Sequence, residues 1–250
     1  MTYIKKPMTL NTITRVVIGV QARSTSKRFP GKVFEDICGK PMLQWVLDAA
    51  KDSAMYMSRP NLSRSVVCDV CLLIPSGDKI RDNFNRRVHI IEGPENDVLS
   101  RYRQCTDFFT ADYVVRITGD CPMIPPPVIT KAINVAVING YDYVSNVDER
   151  LRLSFDGMDV EVISRRLIDY LDENIKDAHH REHVTTFVRT KDLPTDFTTA
   201  HIVGYLDLSG QKLSVDTPED LERVRFHKQK VIDALRLSEE ISGEKSTHRF

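Results

Sequence analysis

The loop Gln21-Ala22-Arg23-Ser24-Thr25-Ser26-Lys27-Arg28-Phe29-Pro30-Gly31-Lys32 carries four cations, three hydroxyls and a glycine, with no acid before Glu35. That is the chemistry for neutralising a polyphosphate. Arginine supplies a planar fork, lysine a point charge, and a glycine-bearing backbone supplies N–H donors. A solvated basic loop has the same composition, so the residues alone leave both readings open. Two familiar phosphate loops are excluded, because neither Gly-x-x-x-x-Gly-Lys-Ser/Thr nor Gly-x-Gly-x-x-Gly occurs.

Two acids stand where a polyphosphate's metal would be held. Asp120 follows the apolar run Tyr113 to Ile117, and Asp216 ends Leu213-Ser214-Val215. Mg²⁺ takes one or two carboxylates and completes its octahedron with water and substrate phosphates. Each acid has a plainer alternative: Asp216 could cap the helix after it and Asp120 could hold a turn. His179-His180-Arg181-Glu182-His183 matches His-x-x-Glu-His, with His179 and His183 on one helix face and Glu182 as a general base, a zinc-hydrolase pattern. No acidic helix supplies a third ligand downstream. Cys68 and Cys71 form Cys-x-x-Cys inside an apolar run, where residues three apart face opposite ways, so they are expected to be core thiols.

The elements around these residues alternate. Val16 to Val20 is an apolar run typical of a strand covered on both faces. Pro41 opens a helix striped by Met42, Trp45, Val46 and Ala49, and residues 52–65 read as a surface insertion. Strands follow at 66–74 and 88–91. Asp97 caps a helix striped by Val98, Tyr102, Cys105 and Phe109. Tyr113 to Ile117 is a strand, and Pro125-Pro126-Pro127 enters another helix. Strands are predicted at 143–146, 158–163 and 213–216. Helices are predicted at 165–177, 182–189 and 217–237, the last with Leu221, Val224, Val231 and Leu235 inward. Strand–helix alternation implies a three-layer α/β fold with a mostly parallel sheet, whose ligands bind beyond the carboxyl ends of the strands.

Composition limits the function. The 250 residues carry 35 basic and 35 acidic side chains, which argues against a nucleic-acid binder. With 41% hydrophobic residues the chain can bury a core. No apolar run approaches the roughly 20 residues that span a bilayer. Five cysteines, an odd number, make a disulfide framework a poor fit. A soluble, cytoplasmic enzyme with no membrane or nucleic-acid partner is the expectation. Residues 1–13 read as an extension, 14–237 as one domain, and 238–250 as a polar tail.

The ordered motifs have a family resemblance. Ala22-Arg23-x-x-Ser26-x-Arg28-x-Pro30-Gly31-Lys32, preceded by Gln21 and followed by Gly39-Lys40-Pro41-Met42, resembles the sugar-activating cytidylyltransferases. The likeness is to 3-deoxy-manno-octulosonate cytidylyltransferase and, more closely, to spore-coat polysaccharide (SpsF-like) cytidylyltransferases. Further stretches agree in order. They are Gly93 with Asp97-Val98-Leu99-x-Arg101-Tyr102, Val115 to Pro122, Asp156 to Val162, Arg181 to Thr185, and Leu213 to Asp220. Together they span roughly residues 15 to 225. Lys27, Phe29 and Met158 depart from the family pattern, and the 52–65 insertion and N-terminal extension lack a counterpart in it.

The resemblance implies a Rossmann-like nucleotidyltransferase (GT-A-like) fold with a mixed, mostly parallel central sheet. It implies transfer of CMP from CTP to an acidic sugar, a sugar phosphate or a related phosphorylated metabolite, in polysaccharide biosynthesis, with Mg²⁺ as cofactor. Gln21, Ala22, Arg23, Ser26, Arg28, Lys32, Asp97, Arg101 and Asp120 then bind the nucleotide, and Arg23, Lys32 and Asp120 are catalytic. Asp120 and Asp216 hold the metal. Asp159, Glu161, Arg181 and His183 meet the acceptor or a dimer interface, and residues 140–190 could pair two copies as a homodimer. The alternatives are a GT-A-type glycosyltransferase, for which no Asp-x-Asp triplet is found, and a zinc hydrolase using His179, Glu182 and His183.

Overall fold

The computed structural model describes residues 13–59, 65–84, 86–147, 155–190, 193–203 and 210–242. In chain order the strands are β1 (Thr14–Gln21), β2 (Asp36–Ile37), β3 (Lys40–Pro41), β4 (Val66–Pro75), β5 (His89–Gly93), β6 (Tyr113–Thr118), β7 (Tyr143–Ser145), β8 (Glu161–Ser164) and β9 (Thr199–His201). The helices are α1 (Met42–Met57), α2 (Ile80–Phe84), α3 (Val98–Phe108), α4 (Pro126–Asn139), α5 (Arg165–Asn174), α6 (Ala178–His183), α7 (Thr186–Thr190) and α8 (Pro218–Ser242).

Seven strands form one sheet in the order β5-β4-β1-β6-β8-β7-β9, and β2 pairs with β3 in a small hairpin. β1 pairs in parallel with both β4 and β6, whereas β8 is antiparallel to both its neighbours. The sheet is therefore mixed and mostly parallel. Side chains on β1 alternate between two cores. Val16, Ile18 and Val20 join residues of α1, α4 and α8, whereas Val17 joins residues of α3 and α5 on the other face. Burial on both faces explains the continuous apolar run, and the three layers follow from it. Chain order reverses between β1 and β6, so a crevice opens at their carboxyl ends.

Cys68 and Cys71 lie in different cores, one on each face of β4, as alternation requires. Burial pushes the Cys68 thiol up to about 12, the behaviour of an inert core thiol.

Several boundaries differ from the sequence reading. α1 continues to Met57 with Ser53, Ala54 and Met57 buried, so 52–57 is helix rather than surface insertion; residues 60–64 lie outside the described residues. β8 starts at Glu161 rather than 158. The helix expected over 182–189 is two short helices separated at Val184, whose φ of 50° no helix accepts. The strand expected at 213–216 does not form. Among the described residues the nearest ladder contact is an isolated bridge just before it, from Lys212 to Asp156, and Val215 N–H instead donates to the Asp120 carbonyl at 2.9 Å. On α8, Val231 and Leu235 are 45% and 37% exposed while Ile232 faces the core. α8 runs on to Ser242, past the expected end at 237. The 1–12 portion of the extension and residues 243–250 of the tail lie outside the described residues.

Candidate active site

Beyond the carboxyl ends of β1 and β6 lies a cavity of about 640 Å³. The basic loop forms one wall. Its path is fixed by two hydrogen bonds: Ser24 N–H donates to the buried Asp78 carboxylate at 2.8 Å, and Gly31 N–H to the Ser24 carbonyl at 2.9 Å. Gly31 sits at φ 78°, a left-handed conformation that glycine adopts without steric cost, and it starts the turn Lys32–Phe34. That turn directs Lys32 inward, leaving it 7% exposed.

Lys32 Nζ donates to Asp120 Oδ2 at 3.0 Å, to Asp216 Oδ1 at 3.2 Å and to the Val215 carbonyl at 2.5 Å. The two aspartates, 96 positions apart by their numbers, are thus joined through one ammonium. Asp216 is further paired with Arg28 at 2.8 Å and Lys212 at 3.2 Å. Burial pushes its carboxyl up, but Lys32 and Lys212 outweigh this and hold it below the usual carboxylate range.

Asp216 is not the helix cap. Thr217 takes that role: its hydroxyl accepts from Asp220 N–H at 3.3 Å, and the Asp220 carboxylate accepts from Thr217 N–H at 3.1 Å. This reciprocal box, with Pro218 in the first turn, leaves the Asp216 carboxylate facing the cavity.

Arg23 stands between Glu95 at 3.7 Å and Glu182 at 3.6 Å. Gln21, Ala22, Ser26 and Arg28 also line the cavity. Asp97 does not: one oxygen caps α3 through Ser100 N–H at 3.0 Å and the other meets Arg181 at 2.9 Å. Arg181 also reaches Asp172 at 2.7 Å and the Ile175 carbonyl at 2.9 Å, so it ties α6 to α3 and α5. Arg101 borders the cavity at 2% exposure, and among the described residues its Nε and Nη1 find no hydrogen-bond partner. Desolvation lowers its pKa. Its stem lies against Gly93, where an added Cβ would come within 2.7 Å of the Arg101 Cγ.

On the opposite side, Arg116 points from β6 into the cavity wall and donates to Glu161 at 2.5 Å, while Tyr143 donates to the other Glu161 oxygen at 2.5 Å. Glu161 is 1% exposed and lies behind Arg116 rather than on the wall. Burial favours its neutral form, yet the Arg116 guanidinium prevails and lowers its pKa. His183 lines the cavity, and burial with His179 nearby lowers its pKa. Asp159 lies off the wall; burial raises the Cys121 thiol, and the charges of Asp120 and Asp159 add to it.

The His179 and His183 rings lie 4.5 Å apart, tilted at 56° to each other, but Glu182 is turned to Arg23. Among the described residues no group of three His, Cys, Asp or Glu side chains is placed to hold a metal ion. Asp120 and Asp216 are a two-carboxylate set, which suits a hard cation that takes its other oxygens from water and phosphate.

Glu95, Arg116 and Glu182 were not assigned to the nucleotide or acceptor from sequence. Arg116 had a usable signal, a lone cation in Val114-Val115-Arg116-Ile117. Glu95 had none, because its partner Arg23 comes from another loop.

The profile of the Cytidylyltransferase family matches residues 16–241. The spore coat polysaccharide biosynthesis protein SpsF of Bacillus subtilis is 25% identical, the match covering 84% of this chain and 85% of that one. The 3-deoxy-manno-octulosonate cytidylyltransferase of Solibacter usitatus is also 25% identical, over 88% and 98% of the two chains. A solved cytidylyltransferase from Leptospira borgpetersenii superposes with a TM-score of 0.72 at 21% identity, covering 95% of this chain and 99% of that one. The match spans most of the chain and takes in the basic loop, Asp120 and Asp216 together. The chain belongs to the cytidylyltransferase family.

Proposed function

We propose that this enzyme transfers CMP from CTP to an acidic sugar, a sugar phosphate or a related small phosphorylated metabolite, releasing pyrophosphate. The observation that carries the reading is the meeting of Arg28, Lys32, Asp120 and Asp216 at one end of the cavity. An acceptor oxygen attacks the α-phosphorus, the bond from that phosphorus to the bridging oxygen breaks, and pyrophosphate leaves. Such a transfer needs alignment and charge neutralisation more than covalent help.

Arg23, Arg28 and Lys32, with Ser26, take the triphosphate. Each arginine exchanges its carboxylate partners for phosphate oxygens. Gln21, Ala22 and Arg101 hold the base and ribose side, and Asp97 acts through the start of α3. Asp120 and Asp216 would hold Mg²⁺, which supplies Lewis-acid neutralisation of the phosphate oxygens when bound. On the acceptor side, Arg116 and His183 face the substrate. Glu161 fixes Arg116, Arg181 fixes α6, and Asp159 belongs to the same region. His183, neutral at neutral pH by the direction of its shift, can accept the proton of the attacking hydroxyl.

Residues 14–237 act as one domain, with 140–190 serving the acceptor and a homodimer contact. The reaction is placed in the cytoplasm; separately, no described helix is long and apolar enough to cross a membrane. The test is a pyrophosphate-release screen crossing the four nucleoside triphosphates with carboxylated and phosphorylated sugar acceptors. CTP-dependent release with one acceptor class is expected. Release with a purine triphosphate instead, or none with any acceptor, contradicts the reading.

A further inference from the structure

Asp120 and Asp216, the pair assigned above to a divalent cation, already share a monovalent one, the Lys32 ammonium. Lys32 Nζ is 3.0 Å from an Asp120 oxygen and 3.2 Å from an Asp216 oxygen, and its third donor goes to the Val215 carbonyl. Arg28 meets the same Asp216 oxygen, and Lys212 takes the other one at 3.2 Å. Both Asp216 oxygens are therefore occupied by cationic donors. Mg²⁺ or Mn²⁺ entering this corner would need the same oxygens at about 2.1 Å, beside an ammonium of like charge.

We infer that Lys32 excludes the divalent cation from the nucleotide-free protein, and that the triphosphate admits it by drawing Lys32 and Arg28 off the two carboxylates. The inference rests on the nucleotidyltransferase reading and adds an order to it: the nucleotide binds first and the metal follows. Lys32 is then a positioning residue with two states, carboxylate-bound and phosphate-bound. The geometry favours such an exchange. The ammonium is at the end of a flexible stem, its anchor is a turn beginning at Gly31, and Asp216 is a fifth exposed at its side chain.

The test uses Mn²⁺ alone as the probe, with the full chain and no nucleotide, read by the electron paramagnetic resonance of free Mn²⁺. Wild type should bind it weakly. Lys32→Met should bind it at least about tenfold more tightly, a fraction of what removing an adjacent unit charge is worth. Lys32→Met with Asp120→Asn should lose that gain, which locates the ion. Circular dichroism checks that the variants fold. A second measurement needs no variant: calorimetric titration of wild type with CTP in EDTA should show binding without any divalent cation.

Equal Mn²⁺ affinity in wild type and a folded Lys32→Met, or CTP binding that requires prior metal, overturns the exclusion. The two readings fail separately. A Lys32→Met gain in Mn²⁺ affinity with no CTP binding, in EDTA or with Mg²⁺ added, supports the exclusion and overturns the nucleotide reading instead.

Discussion

Two clusters of charge border the same cavity and are built differently. At the β1 loop, Arg28 is 67% exposed at its side chain, Asp120 30% and Asp216 21%, so solvent and ligand reach these pairs, although Lys32 at 9% sits beneath them. Beneath β6, Glu161 is 2% exposed at its side chain and Arg116 15%, with Tyr143 closing the other carboxylate oxygen. Ion pairs at a surface contribute little to stability, whereas breaking a buried pair leaves an uncompensated charge. The first cluster is therefore available for substrate and the second is part of the scaffold that aims Arg116. One cavity thus combines a wall that trades partners with a wall that does not.

The largest expected effect separates the two. Glu161→Ala should cost about 3–5 kcal/mol in unfolding free energy, because Arg116 stays buried without its acid. Asp216→Asn should cost less, because Lys32 keeps the Asp120 carboxylate and the Val215 carbonyl as partners. Urea unfolding of both variants checks this, and similar losses in the two would erase the distinction.

Next comes activity. Asp120→Asn and Asp216→Asn should each lower CMP transfer by about 10²–10³-fold, the scale of removing a transition-state charge stabiliser. Their melting points should stay near that of wild type.

A smaller effect follows from pH. The Glu161 pKa is lowered from 4.5 in the folded state. Its stabilisation is therefore complete above 4.5 and is lost as pH falls through the lower native value. The acid limb of the stability curve should flatten in Glu161→Gln, and an unchanged limb would count against the buried pair.

The smallest effect concerns Val184. Its φ of 50° and ψ of −63°, with Thr185 N–H donating to the His183 carbonyl at 2.6 Å, make a strained three-residue turn beside His183. Val184→Ala and Val184→Gly lose the same packed side chain to within a methyl. Only glycine relieves the backbone, so Val184→Gly should be the more stable by about 1 kcal/mol. The reverse order would deny the strain.

Local pattern made the scaffold legible from sequence. Val16 to Val20 read as a doubly buried strand because both faces are covered, and Asp97 read as a cap because its partner Ser100 is three residues away. The basic loop and the two aspartates were likewise visible by residue type. Long-range closure was not. Leu213 to Asp216 has a strand's composition, but only the tertiary fold reveals that it finds one bridge and the Asp120 carbonyl instead of a ladder. The α6–α7 break was hidden because Val184 is a residue that ordinarily avoids positive φ. Glu95 and Glu182 enter through Arg23, which meets one from a loop and the other from α6, both distant in the chain. Glu161 looked like a contact residue, yet β8 buries it behind Arg116.

The most direct measurement follows the label from CTP carrying ³²P at the α-phosphate into product, with wild type, Asp120→Asn and Asp216→Asn run side by side on the acceptor found by the screen. Wild type should retain the α-label in the product as CMP is joined to the acceptor, and each folded variant should lose this by about a hundredfold or more. Transfer of the label at near wild-type rates by either variant would contradict the roles given to the two aspartates.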